Sequence, residues 1–324
     1  MKIAFLSETK LNGKYPENFS NSRTDVAWQT ALGATHYCIT DQKFLGKEID
    51  IAIVILPKNS NTLQKIDSTM FDYFQQSGTK VGVMQEGPNW YFQDYSAEDN
   101  LLYYKYLLQA DFILCHNEVD HVYFKGLVGH NNVHIMPSTM RDPGIKSIMQ
   151  IERKEEVMIG GGFTSWYGGF DSFVVAQRAE ITPVMPSMGR RQENEELWGI
   201  NHLPYMDWTQ WIMELNHYKY AIHLMRTFAA GTFAMNCAAL GVPCIGYKDL
   251  DTQRNLHPAL SIDIGDLGKA AKLLKQLKTD KGFYDECSRL AKVNFINSNY
   301  NEPNYRNYMT RLFYEILEEE DGTI

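Results

Sequence analysis

Two stretches of the sequence combine glycines, a helix start and polar side chains in the way a phosphate site requires. The first, Gly160–Phe170, reads GGGFTSWYGGF and follows a short apolar run, Val157–Ile159. Glycines there let a backbone come close to a ligand, and the helix start beyond them offers free N–H groups to an anion. Gly161, Gly162, Thr164 and Ser165 are the expected contacts of a diphosphate. The spacing is neither that of a Walker loop nor that of a dinucleotide fingerprint. The second stretch, His223–Gln253, reads as strand, polar loop, helix, Gly-Val-Pro turn, strand and a second polar loop. Arg226 can bridge phosphate oxygens with two parallel N–H groups. Thr227, Gly231 and Thr232 add small residues and donors, with Thr232 the expected helix N-cap. Asn236 lies one turn further on, in reach of a ribose hydroxyl; inside a helix an Asn is otherwise a mild liability.

A third stretch, Met84–Tyr95 (MQEGPNWYFQDY), follows a strand-like run at Lys80–Met84 and carries two carboxylates, Glu86 and Asp94. A carboxylate at the end of a central strand can deprotonate an acceptor hydroxyl or steady a developing sugar cation. These two are the expected catalytic residues, and Trp90 beside them offers a stacking face. The fourth stretch is the long loop Ser7–Asp25, where Gly13, Lys14 and Arg23 suggest an acceptor-side or phosphate-side loop. The histidines form no His-Glu-x-x-His pattern, so His116 and His223 are expected to be satisfied structural residues. No metal is expected in this scheme.

The elements that must position these groups follow from hydrophobic patterning. Ile3–Leu6, Ile49–Leu56, Lys80–Met84, Phe112–Cys115 and Val133–Met136 are continuous apolar runs, as buried parallel strands are. Helices are expected at 23–32, 61–75, 99–108 and 118–127. A charged run at 141–156 reads as a linker. Beyond it, strands at 157–159, 181–185, 220–225, 242–247 and 260–262 alternate with helices at 170–178, 208–215, 232–240, 267–277 and 282–294. A last amphipathic segment spans 303–319. Strands separated by such helices imply right-handed crossovers and doubly wound sheets. The expected fold class is therefore α/β, with two Rossmann-like parallel-sheet domains facing across a cleft. Their expected bounds are 1–145 and 146–302, with 303–324 crossing back as a helix to the first. Ligands in such sheets bind beyond the carboxyl ends of the strands.

Composition sets outer bounds. With 324 residues the chain suits two domains, and its net charge of −8 argues against strong non-specific binding to nucleic acid. Five scattered cysteines read as free thiols of a reducing compartment. No run approaches the ~20 apolar residues of a membrane span, and the first apolar run is too short for a signal core. A cytoplasmic protein without membrane partners is expected.

The stretch NCAALGVPC, Asn236–Cys244, resembles the Glu-Ala-Met-Ala-x-Gly-x-Pro-Val segment of the large retaining glycosyltransferase group with the GT-B architecture. In that group a Glu at the place of Asn236 grips the donor ribose, and a second Glu eight residues earlier touches the sugar; here that place is Phe228. The glycine loop is similar to the group's phosphate loop but lacks its basic residues. TSWYGGFDSF also resembles the Thr-Trp-Lys-Gly-Phe segment of the DNA α-glucosyltransferases of T-even bacteriophages. The resemblance implies a GT-B enzyme that moves a sugar from a nucleotide-diphosphate sugar, a UDP-sugar before others, to a hydroxyl. The nucleotide-sugar is a co-substrate, and no further cofactor is implied. Phosphate charge must then be met by Arg226, Arg190, Arg191 or Arg254. The phage-like segment points to hydroxymethylated cytosine in DNA as acceptor, and to a host cytoplasm. The acidic net charge points instead to a small molecule or surface glycan. A nucleotide-sugar 2-epimerase, which shares the architecture, is the alternative from another enzyme class, and a non-catalytic two-domain sugar-binding protein is a third.

Overall fold

The computed structural model describes residues 1–16, 19–85, 87–129, 131–141, 151–164, 166–186 and 193–318, and all that follows concerns these. The chain divides into two compact units. Unit 1 comprises Met1–Phe19, Thr24–Thr139 and Pro303–Ile324; unit 2 comprises Ser20–Arg23 and Met140–Glu302. The short piece Ser20–Arg23 is a departure from a single switch-over near residue 145.

In unit 1 the strands are β1 (Ile3–Ser7), β2 (Thr35–Cys38), β3 (Ile51–Leu56), β4 (Lys80–Gln85), β5 (Phe112–Cys115) and β6 (Val133–Ile135). They pair in parallel in the order β2-β1-β3-β4-β5-β6. Helices α1 (Thr24–Leu32), α2 (Ser60–Leu63), α3 (Thr69–Gln76), α4 (Ala97–Gln109) and α5 (Glu118–Val128) connect them. Every residue of β3 is buried because both faces of the sheet are covered. Ala52, Val54 and Leu56 pack with Phe74, Tyr106 and Phe124 on one face. Ile51, Ile53 and Ile55 pack with Trp28, Tyr305 and Phe313 on the other. The last two belong to the C-terminal helix, Glu302–Glu318, which also gives Arg306 Nε to Ala31 O at 2.6 Å and the Tyr308 hydroxyl to Ile135 O at 3.0 Å.

Unit 2 repeats the plan. Its strands are β7 (Lys154–Ile159), β8 (Thr182–Met185), β9 (Asn201–His202), β10 (Tyr218–His223), β11 (Cys244–Tyr247) and β12 (Ser261–Ile262). They are parallel in the order β12-β11-β10-β7-β8-β9. Helices α6 (Gly169–Arg178), α7 (Trp208–Leu215), α8 (Thr232–Leu240), α9 (Asp251–Leu256), α10 (Leu267–Thr279) and α11 (Lys281–Asn297) follow, and the C-terminal helix is α12. Helices α6 and α10 cover one face of the sheet with Phe173, Val175, Leu274 and Leu277. Helices α7, α8 and α11 cover the other with Trp211, Ile212, Ala238 and Phe295.

Four local departures from the sequence expectation have visible causes. The expected helix at 61–75 is broken, because Asp67 accepts bonds from the Thr69 amide and hydroxyl and so starts a new helix, α3. Strand β2 alternates half-buried and buried residues at the sheet edge and lacks the apolar run of its neighbours. Strand β7 starts within the expected linker, at Lys154. The expected second polar loop contains α9, whose polar residues face inward. There Gln253 Nε2 donates to Cys244 O at 2.8 Å and the Thr252 hydroxyl to Gly231 O at 3.0 Å.

Arg153 closes the far end of α8. Its guanidinium donates to Leu240 O at 2.7 Å, Gly241 O at 2.8 Å and Asn216 O at 3.2 Å. These are terminal carbonyls of α7 and α8 without helical partners, and a cation there complements the negative end of each helix dipole. Arg153→Met is expected to destabilise unit 2 by about 2 kcal/mol, from the loss of charge-assisted bonds to half-buried carbonyls. The shift of the urea midpoint at constant m-value checks it.

Candidate active site

Strands β7 and β10 are neighbours at the centre of the second sheet, so their carboxyl ends deliver two loops to one place. The loop after β7 leads through Gly160–Gly168 into α6. The loop after β10 leads through Leu224–Gly231 into α8. A pocket of about 190 Å³ lies where they meet, lined by Phe163, Thr164, Gly168, Gly169, Phe170, Asp171 and Arg226.

Packing accounts for two of the glycines here. Gly168 has φ +64°, and a Cβ there would lie 1.9 Å from the Leu224 carbonyl oxygen. Gly231 has φ +63°, and its Cβ would lie 2.1 Å from Thr252 Oγ1. The two loops therefore lock against their neighbours, which holds both helix starts in place. Gly231, not Thr232, is the residue before the first turn of α8; it has the left-handed conformation of a residue without Cβ, and Thr232 is the first helical residue. The expectation of Thr232 as N-cap is corrected accordingly.

Arg226 is 58% exposed and its Nη2 lies 3.1 Å from Asp171 Oδ2, whose side chain is 18% exposed. Asp171, first, and then the Tyr247 hydroxyl raise the pKa of the guanidinium further. Thr164 lines the same pocket, with its hydroxyl buried and unpartnered among the described residues. Gly162 O accepts from Gly169 N at 3.2 Å, and Gly161 packs on Tyr167. Thr227 is buried just behind Arg226. Asn236 is buried in α8, and its Oδ1 has no partner among the described residues. Ser165, Arg190 and Arg191 lie outside the described residues. Arg254 donates to Asp251 Oδ1 at 3.0 Å, away from the pocket's lining.

His223 departs from the expected satisfied structural residue. It is buried at the end of β10 against Gly160 and the Phe233 ring, and neither ring nitrogen has a hydrogen-bond partner among the described residues. Burial pushes its pKa down to about 4, so it is neutral at pH 7.

In unit 1 the loop after β4 is built by side-chain bonds. Asn89 Nδ2 donates to Asp120 Oδ1 at 2.9 Å, the Tyr103 hydroxyl donates to Gln85, and Gln85 donates to Pro88 O. Trp90 is half-buried on this loop, and Asp94 is exposed at the end of the following turn, Tyr91–Asp94. Glu86 lies outside the described residues. His116, at the end of β5, stacks on Trp28 at 5.4 Å; its Nδ1 is unpartnered among the described residues and burial, aided by Lys58, pushes its pKa down to about 4.

The loop after β1 is tied to the sheet. Gly13 and His36 exchange two backbone bonds of 2.8 Å, tying the loop to β2, and Lys14 is exposed. Arg23 belongs to unit 2, where its Nη2 donates to Met206 O at 2.9 Å and its guanidinium lies over the Tyr205 ring. The structure thus joins Thr164 to Arg226, and it places Gly13, Lys14, Trp90 and Asp94 in unit 1. Sequence reasoning passed over Phe163, Phe170 and Asp171 as pocket residues. The available signal was an acid in the first turn of a helix entered through a glycine pair.

Among the described residues no group of three or more His, Cys, Asp or Glu could hold a metal, and no helix is long and apolar enough to cross a membrane. No family model and no curated protein matches the sequence. Solved structures do resemble it. The sucrose-phosphate synthase of Thermosynechococcus elongatus matches with a TM-score of 0.70 over 98% of this chain and 100% of that one, at 10% identity. The fold is GT-B.

Other GT-B structures agree. Anabaena HepE in complex with UDP gives a TM-score of 0.65 over 97% of this chain and 100% of that one, at 11% identity. S. aureus TarM, solved with UDP among its ligands, gives 0.62 at 10% identity over 81% of this chain, which spans 55% of TarM. At such identities the likeness is one of GT-B fold.

Proposed function

We propose that the chain is a glycosyltransferase that moves a sugar from a UDP-sugar onto a hydroxyl-bearing acceptor. One observation carries the reading: the pocket at the carboxyl ends of β7 and β10 brings a partly exposed Arg226 to the first turn of α6. A cation beside the first-turn amides of a helix favours an anion, and the pocket lies in a fold that HepE uses to hold UDP and UDP-glucose. The resemblance of NCAALGVPC to the donor segment of retaining GT-B enzymes supports the same assignment.

In this reading Arg226 and the amides of the α6 first turn hold the diphosphate, and the Asn236 amide meets the ribose. The bond between sugar C1 and the phosphate oxygen breaks and a bond from C1 to the acceptor oxygen forms. UDP departs with its charge stabilised by Arg226, which is electrostatic catalysis. The acceptor gives up its proton to a general base, for which Glu86 and Asp94 are the carboxylates the sequence offers. The likenesses lend no support to a DNA acceptor and do not favour the epimerase reading. Hydroxymethylated DNA is accordingly one acceptor to assay beside small hydroxylated compounds.

Arg226→Ala is expected to weaken UDP binding at least tenfold by titration calorimetry, as loss of a charged phosphate contact should. Asp94→Asn and Glu86→Gln are expected to slow transfer while leaving UDP affinity unchanged. Undiminished UDP affinity in Arg226→Ala would remove the diphosphate from this pocket.

A further inference from the structure

We propose that Asp171 makes the free nucleoside diphosphate bind less tightly than the nucleotide-sugar, and so promotes product release. The proposal rests on the donor-site reading above. Asp171 is the less exposed partner of the Arg226 pair, at 18% against 58%, so the carboxylate is the fixed member and the arginine the adjustable one. Both line the same pocket. The pocket therefore holds one positive and one negative side chain, and the negative one sits in the first turn of the helix whose amides attract an anion.

A diphosphate ester to a sugar carries two negative charges. When the sugar leaves, the terminal phosphate oxygen ionises with a second pKa near 6, so UDP carries about one more charge at pH 7.5. Arg226 and the amides gain from that charge, and Asp171 opposes it. A like charge a few ångströms away at a partly solvated site changes affinity by about three- to tenfold. An uncharged residue in place of Asp171 removes the ion pair with Arg226 for both ligands alike, and with it the repulsion, which weighs more on UDP.

The test is calorimetric titration of UDP and of UDP-glucose into the full chain, its Asp171→Asn variant and its Asp171→Ser variant, each first shown by melting to be folded. In both variants UDP is expected to tighten about three- to tenfold more than UDP-glucose does. The gap should shrink at pH 5.5, where the terminal phosphate of UDP takes up its proton. Equal weakening of both ligands would show that Asp171 only orients Arg226 and would overturn the proposal, as would unchanged affinities. A wild-type chain that binds neither nucleotide would overturn the donor-site reading itself, and is distinct from both results.

Discussion

Replacing Gly168 by Ala is expected to destabilise unit 2 by about 2–4 kcal/mol and to abolish nucleotide binding. The left-handed backbone costs an L-residue about 1 kcal/mol. The steric conflict is larger, because the new Cβ would sit 1.9 Å from a backbone carbonyl oxygen that cannot swing aside as a side-chain tip can. Overpacking of this kind costs about 1–3 kcal/mol once the neighbours have shifted. The carbonyl belongs to Leu224, two residues before Arg226, so relief of the clash moves the arginine away from α6. Urea unfolding followed by tryptophan fluorescence checks the stability, and UDP titration checks the site. An Ala variant with native stability and native UDP affinity would contradict the packing argument.

Acid should destabilise unit 2. His223 and His257 are both buried, and burial pushes each pKa down to about 4. Burial keeps His257 neutral, with one ring nitrogen 3.0 Å from Ala234 O and the other accepting from the Cys244 amide at 3.4 Å. A second proton would set N–H against N–H at Cys244. An unfolded histidine titrates near 6.5, so between pH 6.5 and 4 the unfolded chain binds protons that the folded one does not. Stability is therefore full above about pH 7, falls as pH drops through this window, and levels off below pH 4. Each residue contributes a loss of about 2 kcal/mol at pH 5. Two such losses approach the whole stability of an ordinary domain. His223→Gln is expected to reduce the slope of unfolding free energy against pH by about 1.4 kcal/mol per pH unit in this window. An unaltered slope would place a compensating acid beside His223.

Much of the fold was legible because buried parallel strands leave an unmistakable apolar record. Ile51–Leu56 is apolar throughout, and so is most of each central strand. The edge strand Thr35–Cys38 left no such record, since only one residue in two is buried. Helix α9 was hidden by composition: Asp251, Thr252 and Gln253 look like a loop, yet they bury themselves by satisfying backbone groups. The site was legible in part. Arg226 and Thr164 were readable as a cation and a hydroxyl next to glycines. Asp171 was readable only as an acid in the first turn of a helix after a glycine pair, because its pairing with Arg226 depends on β7 and β10 being neighbours, which no local pattern states. Gly231 and Thr232 show the limit from the other side. A threonine before a helix reads as a cap, whereas tight packing on Thr252 demands the glycine.

The most direct measurement is a thermal-shift comparison of the purified chain with UDP, UDP-glucose, GDP, CMP, dTDP, free glucose and hydroxymethylated DNA. Donor binding in the pocket predicts that UDP and UDP-glucose raise the melting temperature, by mass action worth about 3 kcal/mol at a hundredfold excess over Kd. Arg226→Ala should lose that shift while melting as the wild type does without ligand. A shift with free glucose or DNA and none with any nucleotide would contradict the transferase reading and make the protein a binder.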